Sequence, residues 1–64
     1  MGYKDYLNQG VYIRFTTDKG VREIIGKLVE YDSPMLFVSS KGRLIPVNKN
    51  DILKFREAYG EVKS

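Results

Sequence analysis

The carboxylates Glu23, Glu30, Asp32, Asp51, Glu57 and Glu61 include no two whose spacing suggests a general acid and a general base working as a pair. Histidine and cysteine are absent. The usual proton shuttle, the thiolate nucleophile and the common zinc ligands are therefore missing, and a hard ion would have only carboxylates and carbonyls. No glycine-rich phosphate loop occurs either. The sequence predicts a protein that is not an enzyme and carries no cofactor or metal. The residue types suit ligand holding instead. Asn48, Lys49 and Asn50 put one cation and two amides on a single tight turn, a set able to meet a phosphate and a base edge. Tyr12, Arg14, Lys27, Tyr31, Lys41 and Arg43 offer aromatic and basic groups, which suit stacking on single-stranded nucleic acid with neutralisation of its phosphates. The simpler alternatives are a solvated turn for the first set and tyrosines covering a small core for the second.

The chain has 64 residues, enough for one domain over 1–64. A domain of this size hides only about 60% of the surface its unfolded chain exposes. Without disulfides or a metal, self-association is the remaining aid to stability. Eleven Lys and Arg against eight Asp and Glu leave a charge of +3, which permits contact with phosphate backbones without demanding it. No apolar stretch approaches a membrane span, and the N-terminus lacks the apolar segment of a signal peptide, so a soluble cytoplasmic protein is expected.

Residues 3–8 allow at most two helical turns, with Tyr3, Tyr6 and Leu7 on one apolar face and Gly10 able to end them. Five strands follow. Val11, Ile13 and Phe15 alternate with Tyr12, Arg14 and Thr16 over 11–17. A turn at Asp18-Lys19-Gly20 leads into a long second strand over 21–32. Ser33-Pro34 turns the chain into a third strand over 35–39, and Lys41-Gly42 turns it into a fourth over 43–47. Residues 48–51 form a polar turn before a fifth strand over 52–56, and a polar tail over 58–64 is expected to fray. Gly26, near the middle of the longest strand, is expected to let that strand bend sharply, as glycine does at barrel corners. Asp32 is expected to cap the turn through Ser33 to Met35 by accepting its backbone N–H groups. The pattern predicts a mainly β fold: a small, strongly bent, five-stranded antiparallel barrel over about 11–57 with a short N-terminal helix.

Gly26, Leu28, Asp32 and Met35, in this order and spacing, together with the Tyr31-Asp32 step, resemble the first motif of the Sm-like superfamily and its Hfq branch. Ser39-Ser40-Lys41-Gly42-Arg43 resembles the turn between Hfq's third and fourth strands. Val47 to Ile52 stands in the place of the second motif, with Lys49 matching its lysine and Asn50 standing where the histidine would be. The resemblance covers roughly residues 5–56. It implies an SH3-like, Sm-type barrel that binds RNA as a ring-shaped homo-oligomer, the fourth strand of one subunit pairing with the fifth of the next. It also places Tyr3, Lys4 and Tyr6 near where the Hfq helix helps to bind uridine-rich RNA, although docking of the helix on the barrel is the simpler role.

Three departures bear on that expectation. Pro34 replaces a base-stacking aromatic, Leu36 stands where the eukaryotic and archaeal branches carry a base-contacting asparagine, and no histidine accompanies Lys49. Pro46 removes a backbone donor from the fourth strand, unless it points inward or sits at a bulge. The leading expectation is single-stranded RNA binding through Asn48, Lys49, Asn50, Tyr12, Arg14, Tyr31, Lys41 and Arg43 in a homo-oligomer. The alternative is an SH3-like protein-interaction or structural module taking a partner by strand addition, and a third reading is a small double-stranded DNA binder.

Overall fold

A computed structural model describes residues 2–58. Five antiparallel strands form one sheet: β1 (Gly10–Thr17), β2 (Gly20–Asp32), β3 (Met35–Ser40), β4 (Arg43–Asn48) and β5 (Ile52–Glu57), in the order β4-β3-β2-β1-β5. Each strand expected from the sequence is present, with ends shifted by a residue or so. Alternation puts Val11, Ile13, Phe15, Ile24, Leu28, Leu36, Val38 and Val47 on one face, where they make a single core. Burying side chains of this size is worth about 1.5–3 kcal/mol each, and this face is what holds the sheet together.

The edge strands β4 and β5 are consecutive in the chain, joined only by a 3-10 turn at Lys49–Asp51. Laid flat, five strands would hold their outer edges about 19 Å apart. Three connecting residues in a 3-10 turn, rising about 2 Å each, do not cover that span. The sheet therefore bends until its two edges approach each other at the Lys49 end. The edges do not pair among the described residues, so the sheet stays open. Two irregularities accompany the bend: the β2–β3 register shifts between Leu28 and Glu30, and the β1–β5 register shifts between Arg14 and Phe15.

Gly26 is needed, but for a reason other than backbone freedom. A Cβ built on it would collide with the Ser39 carbonyl oxygen of β3 and lie 2.9 Å from Val38 Cγ1. The strand is glycine here because a neighbouring backbone crosses where a side chain would stand.

Several expectations change. The N-terminal segment is a 3-10 helix of four residues, Tyr3–Tyr6, not a helix through residue 8. Asn8 turns the chain with φ 68, a conformation asparagine tolerates, and Gly10 already belongs to β1. Asp32 closes its turn by pairing with Met35 in the ladder, and its exposed side chain makes no hydrogen bond to the turn among the described residues. Pro34 O instead accepts from Lys49 N at 2.8 Å, tying the β2–β3 turn to the turn before β5. Ala58, expected in the fraying tail, is buried, and its N–H donates to Gly10 O at 3.0 Å. The rest of that tail, 59–64, lies outside the described residues.

Candidate nucleic-acid interface

The eight residues singled out for RNA contact separate into three places. Asn48, Lys49 and Asn50 form the turn between β4 and β5. Tyr31, near the end of β2, joins them. Lys41 and Arg43 lie at the other end of β4, which at six residues separates the two groups by roughly 20 Å. Tyr12 and Arg14 point outward from the middle of β1.

At the first place, local chemistry shapes the turn. Asn48 caps it, its Oδ1 accepting from Asn50 N at 2.8 Å. That oxygen is thus committed to the backbone, leaving the Asn48 NH₂ group and the exposed Lys49 and Asn50 side chains to meet a ligand. The Tyr31 phenol is held below the usual tyrosine range. The nearby Ser33 hydroxyl is the main cause. Partial burial opposes it, and Lys49, then the charge of Lys4, add to the lowering.

Tyr31 also belongs to a chain of aromatic rings that the sequence did not reveal. Its ring centroid lies 5.6 Å from that of Tyr3, Tyr3 lies 4.9 Å from Phe55, and Phe55 lies 5.0 Å from Tyr6, the last two contacts edge-on. The 3-10 geometry explains how Tyr3 and Tyr6 both reach Phe55. With three residues per turn, positions i and i+3 share one side. Gly2, Tyr3, Tyr6 and Phe55 line a shallow depression of about 370 Å³. The four rings are partly buried against the core, and Lys49 and Lys4 lie close enough to Tyr31 to favour its phenolate.

The outer-face pair is differently engaged. Tyr12 Oη donates to Glu23 Oε2 at 2.9 Å, and Arg14 Nε lies 3.9 Å from the same oxygen. The Arg56 guanidinium stands 4.7 Å over the Tyr12 ring. The bond to Glu23 is the main reason the Tyr12 phenol is pushed above its usual range; desolvation and the Glu23 charge add to it, while Arg14 and Arg56 act the other way. With its hydroxyl and its ring face both occupied, Tyr12 is less available for stacking than Tyr31. Phe55 and Arg56 were missed because both act across β1–β5 and β5–helix contacts, and nothing local in the sequence sets that pairing.

No group of three or more metal-ligating side chains occurs among the described residues, and no helix there is long and apolar enough to cross a membrane. No family model matches the chain, and no curated protein or solved structure is significantly similar to it.

Proposed function

We propose that this chain is a non-catalytic, Hfq/Sm-like RNA-binding protein whose bent sheet forms an SH3-like barrel of the Sm type and which works as a symmetric homo-oligomer. The observation that carries the reading is the meeting of Tyr31, Tyr3, Phe55 and Tyr6 beside Lys49 and Lys4. This end supplies both halves of single-strand recognition, ring faces for bases and ammonium groups for phosphates. The free edges of β4 and β5 support assembly, because they are the edges that ring-forming Sm-like proteins join. Repetition around a symmetric assembly turns a weak single site into a useful one.

Labelled oligouridine titrated into the protein over a salt series is the test, read by fluorescence anisotropy. Affinity should fall linearly in log–log form. Lys49→Ala should weaken binding and make the slope shallower by about 0.7 for each single-strand phosphate that the variant no longer neutralises. Thermal unfolding of the variant should be unchanged. Binding indifferent to salt, or equal in Lys49→Ala, removes this end from the interface.

A further inference from the structure

The middle of the sheet carries a further free edge, beside the outer edges of β4 and β5. The Gly10 carbonyl is taken by Ala58 beside β5, so the odd-numbered residues of β1 turn their backbone groups toward β2. By the register (Val11 with Gly26, Ile13 with Ile24, Phe15 with Arg22), their partners are the even-numbered residues of β2. Val21, Glu23 and Ile25 therefore direct their N–H and C=O groups the other way, toward the side that β3 occupies. Yet β3 pairs with β2 only from Lys27 onward and then turns back at Lys41-Gly42. Ile25 O is satisfied by the Ser40 hydroxyl at 2.9 Å, a side chain standing in for the missing strand. Val21 and Glu23 have no strand partner on that side among the described residues.

This bare edge opens onto a cleft of about 710 Å³, whose walls include Arg22 and Ile24 of β2 and Lys41, Arg43 and Ile45 of the β3–β4 hairpin. The charges there are one-sided. Glu23, the acidic side chain at the cleft, is engaged by Tyr12 and Arg14. No carboxylate among the described residues forms an ion pair with Arg22, Lys41 or Arg43. Arg22 and Ile24, two residues apart on one strand, share a face. The cleft thus presents a cation at its outer end, isoleucines in the middle and two further cations where β3 turns back.

We propose that this cleft binds an extended acidic segment of a partner protein, added as a short strand beside Val21–Ile25 in line with β3. Backbone pairing with Val21 and Glu23 supplies the geometry, and Arg22, Lys41 and Arg43 supply the charge preference. The spacing of the walls sets a pattern for the ligand: an acid, an apolar residue and a second acid at alternate positions. The site is independent of the aromatic end proposed for RNA and lies at the opposite end of β4.

A blocked pentapeptide, Glu-Thr-Val-Thr-Glu, reads the same in either strand direction and serves as the probe. Titrated into isotope-labelled full-length protein, it should shift the amide resonances of Val21, Glu23 and Ile25 saturably. Affinity should drop at least tenfold for the same peptide with alternate amides N-methylated, which keeps the charge but cannot pair as a strand. It should also drop at least tenfold in Arg43→Glu, a substitution at an exposed position. Equal binding of the N-methylated peptide, or of a peptide with lysines in place of the glutamates, overturns the proposal. So do shifts of the same amides with protein concentration alone, which would assign the edge to a second copy, or with oligouridine in place of peptide, which would assign it to nucleic acid.

Discussion

Two tyrosines on one small sheet are drawn in opposite directions by their neighbours. Tyr12 donates to a carboxylate, and losing its proton would set two negative charges side by side, so its phenol ionises above the ordinary value near 10.0. Tyr31 faces a hydroxyl donor and two lysines, all favouring the phenolate, so it ionises below that value. Near-ultraviolet titration of the phenolate signal should consequently spread over a wider range than for free tyrosine. Tyr31→Phe should delete the earliest part of the curve, and Glu23→Gln should draw the latest part downward; an unchanged curve in either variant would contradict the assignment. The signs carry over to stability. The Tyr12 contribution is present below the usual phenol value and is lost as pH rises through its elevated one. The Tyr31 contribution runs the other way, present above the usual value and lost as pH falls through its depressed one. Tyr12→Phe should therefore lessen the fall in stability on the alkaline side.

At the level of single strands, β2 is the part of the fold on which the rest depends, since it pairs with β1 over Gly20–Lys27 and with β3 over Lys27–Asp32. Gly26 lies where that change occurs. A methyl group there meets backbone on β3, which cannot swing aside as a side-chain tip can. Gly26→Ala should cost about 2 kcal/mol, in the range of over-packed sites, seen as a lower urea midpoint with an unchanged slope. A loss of a few tenths would mean that β3 moves freely. The five strands are legible in alternation and turn residues because both signals are local. The position of Gly26 is legible in the same way, whereas its reason is not, because Ser39 lies thirteen residues away and meets it only once the sheet has bent. The N-terminal helix is shorter than its residue pattern suggests. Tyr3, Tyr6 and Leu7 fit one helical face, but Asn8 N donates to Leu28 O, and the chain is drawn into the sheet before a second turn can form.

For the whole molecule, the question is which edges remain bare. On β4, Lys49 N and the hairpin pair Ser40–Arg43 place the odd-numbered residues toward β3, so Leu44, Pro46 and Asn48 face outward. Pro46 thus neither points inward nor sits at a bulge. It removes one donor from the free edge and none from the β3–β4 ladder, a common way of blunting an edge against unwanted pairing. Leu44 on β4 and Leu53 on β5 are nonetheless about 60% exposed, apolar side chains on the two strands that lack outer partners. Pro46→Thr should restore the donor and raise the average mass measured by light scattering at a given concentration. A mass unchanged by the substitution would show that association does not use the β4 edge. A rise in mass would instead make strand-edge pairing of this kind, rather than core size, the source of added stability for a chain of 64 residues.

The strands, the turns between them and the absence of histidine and cysteine chemistry were all set by the order and kinds of residues, because side-chain alternation, turn propensity and composition act between near neighbours or need no geometry at all. The Lys49 turn and Tyr31 stood out on the same grounds. Folding in three dimensions was needed to bring these two together with Tyr3, Phe55 and Tyr6, to occupy Tyr12 with Glu23 and Arg56, and to leave the first half of β2 without a partner on its β3 side. Each of those outcomes depends on register between strands far apart in the chain and on how tightly the sheet bends, which are collective results of packing one apolar face.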